Sequence, residues 1–389
     1  MSKVIVIGAG PAGLMCAEQL SKQGISVTLY DRMPSAARKF LMAGRGGLNL
    51  THSEPFERFA ARYGKATARL RPALDGFTPE DLRAWADGLG AQTFVGSSGR
   101  VFPKAMKASP LLRAWLKRLQ DQGVVFRLRH DWLGWDGTSV VFRSGEAVVM
   151  DQGDAVVLAL GGASWPKLGG DGSWKGLLEA RGVTVRAFQP SNVGFMTSWS
   201  GGFAERFAGT PLKNIAVAFG GKSARGEIML TRQGVEGGAI YAISAGLREA
   251  IARTGFADVV IDLRPDMSEG QVISKLGRAA AKDSVSNRLR KALNLTPAAI
   301  GLVHETGSGG DIKAVTVRLR AVQGLDRAIS SAGGVAFEAV SDGFELKAVP
   351  GTYVVGEMLD WESPTGGYLL QGCFSTAVKA ARAIIAASH

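Results

Sequence analysis

The sequence predicts an α/β fold: a Rossmann-like domain split in sequence, with an α+β domain inserted between its two parts. Three observations lead there. The first thirty residues read strand, helix, strand. A buried strand at 154–160 and a short strand at Thr352–Val355 recur much later, the second followed by an apolar helix, Tyr368–Ala387. Residues 188–327 have a different character, with strand-like runs at Val193–Thr197, Ile215–Phe219 and Glu227–Leu230, then helical stretches at Ile240–Thr254 and Glu269–Leu293.

The first element, Val4–Ile7, is an unbroken aliphatic run, as expected of a strand buried on both faces. Pro11–Gln23 places Leu14, Ala17 and Leu20 at helical spacing, and Gly24 closes the helix. Val27–Tyr30 is the second strand and Asp31 ends it. Gly8, Gly10 and Gly13 form G-x-G-x-x-G at the strand-to-helix turn. In that pattern one glycine makes the tight turn, one lets a pyrophosphate reach the backbone, and one lets helix and strand pack closely. The helix N-terminus offers free N–H groups and the positive end of its dipole to the anion. Asp31 follows Gly13 by 18 residues, near the spacing of the acid that bonds ribose hydroxyls. The fingerprint therefore predicts dinucleotide binding. An acid in this place suits FAD or NAD and disfavours a 2′-phosphate. Further on, Gly123–Leu128 and Trp132–Phe142 read as strands of an added antiparallel layer.

The remaining bounds are compositional. The chain has 389 residues, 46% apolar and 21% charged, which suits a globular protein of two or three domains. Its 52 glycines predict many tight turns or close ligand approaches. No apolar run is long enough to suggest a membrane span, and a strand beginning at once leaves no room for a secretion signal, so a cytoplasmic location is expected. Cys16 and Cys373 read as small buried apolar residues on helices. The four histidines, at 52, 130, 304 and 389, have no metal-ligand spacing, and no metal is expected. There is no G-x-S-x-G and no nucleophilic constellation. The net charge is +12, and residues 32–129 hold 18 Lys and Arg against 7 Asp and Glu. That excess points to an anionic cofactor or substrate ahead of nucleic acid, because no run of aromatics interleaves with the charges.

Three further glycine-rich segments carry more: AGRGGLNLT at 43–51, VVLALGGASWPKLGGDGSW at 156–174, and VPGTYVVGEMLDWESPTGGYLLQGC at 349–373. No second G-x-G-x-x-G is among them. The combination resembles the glutathione-reductase-like two-dinucleotide-fold flavoproteins, and within them the HI0933-like (YhiN/BaiN-type) family. That family has a G-R-x-N-L-T loop after the first β-α-β unit and a G-E-x-L-D…T-G-G-Y-N-x-Q segment near the end. Here the first is Gly44–Thr51, with Leu48 in place of the usual Cys, and the second is Gly356–Gln371, with Leu369 in place of Asn.

The resemblance implies non-covalent FAD in a domain formed by residues 1–187 and 328–389, with 188–327 inserted. It implies cofactor contacts from Gly8, Gly10, Pro11, Ala12, Gly13, Asp31 and Arg32 on the ADP side. Trp132-Leu133 would lie by the adenine and the strand end Ala159, Leu160, Gly161 by the pyrophosphate. Arg45, Gly46, Gly47, Leu48 and Asn49, with Gly356, Glu357, Gly366, Gly367, Tyr368, Leu369 and Leu370, would surround the flavin. The glycine pair and the helix N-terminus at Tyr368 would face the pyrimidine end of the ring. GRVFPKAMKAS, 99–109, matches a family loop lying toward the flavin, and Gly226-Glu227 with Gly234–Gly238 matches another family motif. Arg45 and His52 are the candidates for a catalytic role, and Lys104, Lys107 and Lys167 read as solvated surface cations.

The function expected is an FAD-dependent oxidoreductase, NADH or NADPH passing hydride through FAD to an unsaturated or carbonyl small molecule. The alternatives are an RNA-associated flavoprotein and a flavin-binding protein without turnover.

Overall fold

A computed structural model describes residues 2–43, 46–280 and 282–388. The chain forms two compact units, residues 1–189 with 330–389, and residues 190–329.

The first unit is built on β1 (Lys3–Ile7), α1 (Pro11–Ser21) and β2 (Ser26–Asp31). Among the described residues its main sheet has five strands in the order Thr352–Val354, Ala155–Leu158, β1, β2, Val125–Leu128, all parallel. β1 is central, which explains its composition: Val4, Ile5, Val6 and Ile7 are each at most 1% exposed. Such a strand has no polar face. Strands Ala155–Leu158 and Thr352–Val354 come from distant parts of the sequence yet pair with each other, Val157 opposite Tyr353. The C-terminal helix, Tyr368–Ala387, lies against α1 and closes one side of the sheet.

Val125–Leu128 corrects one expectation. Its pattern suggests an antiparallel layer shared with Trp132–Phe142. It instead pairs parallel to β2, Leu29 opposite Phe126, at the edge of the main sheet. Its residues alternate between exposed and half-buried because an edge strand keeps one solvated side, and that alternation reads like an antiparallel strand. The antiparallel layer itself is Asp131–Asp136, Ser139–Ser144 and Ala147–Asp151.

The same unit holds a smaller antiparallel sheet. It is formed by β3 (Thr51–His52), β4 (Thr93–Val95) and β5 (Arg100–Pro103), with β5 in the middle. Thr51 faces Val101, and His52 faces Arg100.

The second unit carries a seven-stranded, largely antiparallel sheet among the described residues, with helices that include Ser244–Thr254, Glu269–Gly277 and Val285–Leu293. Val315–Leu319 alternates buried and exposed residues, as expected of a sheet covered on one face only. No described helix is long and apolar enough to cross a membrane.

Candidate functional site

The carboxyl ends of the parallel strands open into a cleft whose empty space, open solvent included, is about 1070 Å³. Open α/β sheets place ligands at this end. Gly8 to Ala12, Asp31, Lys39, Trp132, Ala159 to Gly162 and Glu357 are among the residues that line it.

Each glycine of the fingerprint answers a different constraint. Gly8 has φ +109°, and a Cβ there would sit 2.3 Å from the Ala159 carbonyl oxygen. At Gly13 a Cβ would sit 1.9 Å from the Gly8 carbonyl oxygen, so only hydrogen lets α1 reach the turn. Gly10 differs: its φ is an ordinary −82°, and nothing lies within 4 Å of the place a Cβ would occupy. The fold does not need glycine at 10; the open space beside it belongs to the cleft. Gly10 is also the N-cap of α1 and supplies no side-chain cap, so the first-turn N–H groups face the cleft without a side-chain acceptor.

Asp31 ends β2 beside this turn. Its carboxylate accepts from the Ala9 N–H at 2.7 Å and from the Met33 N–H at 2.7 Å. Burial raises the Asp31 carboxyl above its ordinary value, and the two N–H donors oppose that. Arg32 reaches across the cleft edge to Asp171 at 2.7 Å and to the Gly169 carbonyl at 2.7 Å. Sequence reasoning missed Lys39, which has no motif around it: its Nζ donates to Ser164 Oγ at 2.7 Å and to Glu357 Oε2 at 2.9 Å. It thus links the glycine-rich segments 156–174 and 349–373.

Among the buried polar atoms of this unit without a hydrogen-bond partner are Trp132 Nε1, Arg38 Nε, Arg83 Nε and Asn49 Oδ1, and Arg38 lines the cleft as Trp132 does. Trp132, 7% exposed, lines the cleft with its Nε1 unsatisfied. Asn49 has its Oδ1 buried and unsatisfied. Orphaned buried donors and acceptors are costly, and a ligand that meets them explains them. Only Trp132 of the pair 132–133 lines the cleft; the Leu133 side chain is exposed.

The matched loop and the glycine pair meet elsewhere in the unit. Gly367, φ +95°, lies so close to β3 that a Cβ would sit 2.4 Å from Thr51 Cα. Thr51 Oγ1 donates to Gln371 Oε1 at 2.9 Å, which ties β3 to the first turn of the C-terminal helix. The Gly-Gly entry to that helix is therefore also a packing requirement. Tyr368 donates its hydroxyl proton to Glu54, and Arg62 clamps the same carboxylate at 3.0 and 2.7 Å. Burial would raise the Glu54 carboxyl, but the Arg62 and Tyr368 donors outweigh it and hold it below its usual range. Burial and the neighbouring Glu54 push the Tyr368 hydroxyl well up, so it keeps its proton.

His52 stacks on the Tyr368 ring at 5.6 Å. Its Nδ1 accepts from the Glu54 N–H at 3.1 Å and its Nε2 lies 3.0 Å from the Ser98 carbonyl. Both ring nitrogens are thus engaged, and the ring has no spare donor for a substrate. Gly44 and Arg45 lie outside the described residues; of the matched loop, Leu48 is fully buried and Gly47 packs against Phe102 and Met106. Gly356 carries φ +70° below the cleft, and its N–H donates to Thr376 Oγ1 at 3.0 Å. Leu369 and Leu370 are half-buried against the main core. No cluster of metal-ligating side chains occurs among the described residues.

Residues 2–383 match the model of the HI0933-like protein Rossmann domain. The chain belongs to this family. An HI0933-like chain of this kind is an FAD-dependent oxidoreductase. Its relatives include a ribosomal RNA dihydrouridine synthase of Haemophilus influenzae, 26% identical with 98% of each chain covered. The 3-dehydro-bile acid delta(4,6)-reductase of Clostridium scindens is 25% identical, with 98% of this chain and 99% of that one covered. Among solved structures, the 3-ketosteroid-delta4-(5alpha)-dehydrogenase of Rhodococcus jostii RHA1 superposes with a TM-score of 0.52 at 12% identity, covering 98% of this chain and 97% of the other. At that identity the likeness speaks for the fold alone.

The residues present fit FAD. The open space at Gly10, the uncapped helix start, the Asp31 carboxylate and the orphaned Trp132 N–H converge on one cleft.

Proposed function

We propose that this HI0933-like protein is an NAD(P)H-linked reductase that saturates a carbon–carbon double bond conjugated to a carbonyl. What carries the reading is the dinucleotide cleft joined to the chemistry common to two full-length relatives. Dihydrouridine is uridine with its ring double bond saturated next to a carbonyl, and a delta(4,6)-reductase acts on a conjugated double bond. The overall reaction adds the nicotinamide's hydride and one proton across the double bond, leaving the oxidised nicotinamide.

Bound FAD would supply the two-electron carrier between the two substrates. The chain's own part is holding and orienting. Gly8, Gly10, Pro11, Ala12 and Gly13 would hold the pyrophosphate on backbone N–H groups. Asp31 would accept from the ribose hydroxyls, and Trp132 Nε1 would donate on the adenosine side. Lys39 offsets anionic charge in the cleft while fixing Glu357 in place. Asn49 Oδ1, Gly356 and the start of the C-terminal helix at Gly366–Leu370 would surround the flavin, the helix dipole favouring negative charge there. Tyr368 Oη retains its proton next to that helix start, held by Glu54. We place the flavin domain at residues 1–187 and 328–389, with 188–327 inserted, in a cytoplasmic protein.

The test is anaerobic. Purified protein is mixed with NADH or NADPH and the flavin absorbance followed, then an enone such as a 4-en-3-one steroid and, separately, a uridine-containing RNA are added. Bleaching by one nucleotide and return of colour with an unsaturated acceptor support the reading. Protein that neither nucleotide reduces refutes it.

A further inference from the structure

We infer that the sheet face formed by β3, β4 and β5, with the loop after it, is a docking surface for single-stranded RNA. This inference takes its chemistry from the reductase reading and names the substrate class: a uracil carried by RNA.

The stretch 88–120 contains six cations, Arg100, Lys104, Lys107, Arg113, Lys117 and Arg118, and no Asp or Glu at all. Two of the six are neutralised within the fold, Lys117 by Asp121 and Arg118 by Glu18. Arg100, Lys104, Lys107 and Arg113 are exposed and take part in no ion pair among the described residues. The nearest acids flank the stretch and are engaged: Asp87 accepts from Thr93 of β4 at 2.6 and 3.0 Å, and Asp121 pairs with Lys117.

The aromatic partners are supplied by strand pairing. Phe94 on β4 lies opposite Phe102 on β5, and the rings are 5.9 Å apart. Arg100 is two residues from Phe102 on the same strand, so it shares that face, and His52 opposite it on β3 shares it too. Phe94 is 42% exposed, and Met106, in the loop after β5, is 39% exposed. The aromatics and charges interleave across strands, which is why no interleaved run is visible along the chain. A sheet face presenting aromatic rings among cations is how unstacked bases are commonly held: rings stack on bases and cations meet phosphates.

Position supports the assignment. Gly47 of the matched loop packs against Phe102 and Met106, and β3 lies against Gly367 at the start of the C-terminal helix. The face is thus continuous with the region proposed to surround the flavin. Two relatives that align with 98% of this chain, from Haemophilus influenzae and Escherichia coli, are ribosomal RNA dihydrouridine synthases. Of the four, Lys104 and Lys107 line a common pocket, while Arg100 is on β5 and Arg113 on the helix Ala108–Asp121, so the cations extend beyond one small-anion site.

The experiment measures binding by the flavin-loaded full chain, using fluorescence anisotropy of a labelled, uridine-containing single-stranded RNA across a salt series. Tight binding at low salt that weakens steeply as salt rises is expected. The triple variant Arg100→Ala, Lys104→Ala, Lys107→Ala should lower the magnitude of the log–log salt slope by about 2, at about 0.7 for each phosphate left without its cation. Phe94→Ala should weaken binding about 5- to 150-fold while leaving the slope unchanged. Flavin content and reduction by the nicotinamide should be as in the unaltered protein, which separates a lost surface from a lost fold. No binding at low salt, an unchanged triple variant, equal affinity for duplex DNA, or preference for phosphatidylserine vesicles would each overturn the inference. Because no turnover is read, the surface can fail while the reductase reading stands, and the reverse.

Discussion

The contrast between Gly10 and Gly13 separates the needs of the cofactor from those of the fold. Replacing Gly10 by valine puts a side chain where nothing lies within 4 Å, at a backbone conformation ordinary for any residue. The cofactor-free protein should therefore be within about 0.5 kcal/mol of the parent, the range of substitutions away from packed features. The same side chain fills the space through which a pyrophosphate reaches the N–H groups at the start of α1. Losing two hydrogen bonds to a charged group, at about 1.5–3 kcal/mol each, gives a loss of about 3–6 kcal/mol. That corresponds to an FAD affinity lower by roughly 10² to 10⁴. Gly13→Ala should behave in the opposite order. Its methyl would fall 1.9 Å from the Gly8 carbonyl oxygen, a backbone atom that cannot yield without moving β1 and α1 apart. Overpacking of that kind costs about 1–3 kcal/mol or more, before any cofactor is considered. The assay is thermal unfolding of both variants with FAD stripped, then titration with FAD. If Gly10→Val were destabilised as strongly as Gly13→Ala, or if it held FAD as the parent does, the reasoning about this turn would be refuted.

Three other outcomes follow from the same structure. Trp132→Phe should leave the stability of the stripped protein nearly unchanged, because Nε1 has no protein partner, while FAD affinity falls about two- to tenfold as one neutral hydrogen bond is lost; titration of the flavin into the stripped variant reads this. Gly367→Ala should destabilise by more than about 1 kcal/mol, since a positive φ and a clash 2.4 Å from Thr51 Cα act together; denaturant unfolding measures it. Glu18, fully buried on α1, accepts from Trp85 at 2.9 Å, Trp115 at 2.7 Å and Arg118 at 3.1 Å, and pairs with Lys22 at 2.7 Å. Burial would raise its carboxyl, but these donors outweigh it and hold it below its ordinary value. A depressed acid contributes stability that is present above its unfolded value near 4.3 and is lost as pH falls through the lower folded one. Glu18→Gln should cost about 1–3 kcal/mol at neutral pH, since the Lys22 and Arg118 cations it leaves are partly solvated, and flatten the acid limb of a stability-versus-pH curve.

Much of this site is visible along the chain because its constraints are local. The G-x-G-x-x-G turn needs contacts within a few residues and one strand, so its glycines and Asp31 stand out. The C-terminal helix runs Tyr368–Ala387, as its apolar spacing suggests, because no tertiary contact overrides a strong periodic pattern. What escapes is long-range. Lys39 meets Glu357, 318 positions away, and nothing around either residue announces the other. Gly367 needs to be glycine because Thr51 is there, a reason the sequence attaches to neither. Phe94, Phe102 and Arg100 become one surface only when β4 and β5 pair. Val125–Leu128 misleads because alternation is shared by antiparallel strands and by parallel strands at an edge.

FAD lying in the cleft at Gly10 and Asp31 is the central claim. The most direct measurement is to denature the purified protein, identify the released cofactor and quantify it per chain, for the parent and for Gly10→Val side by side. The account predicts a yellow parent that releases one FAD per chain and a folded variant that releases almost none. A colourless parent that cannot be reconstituted with FAD, or a Gly10→Val protein with full FAD content, would contradict it.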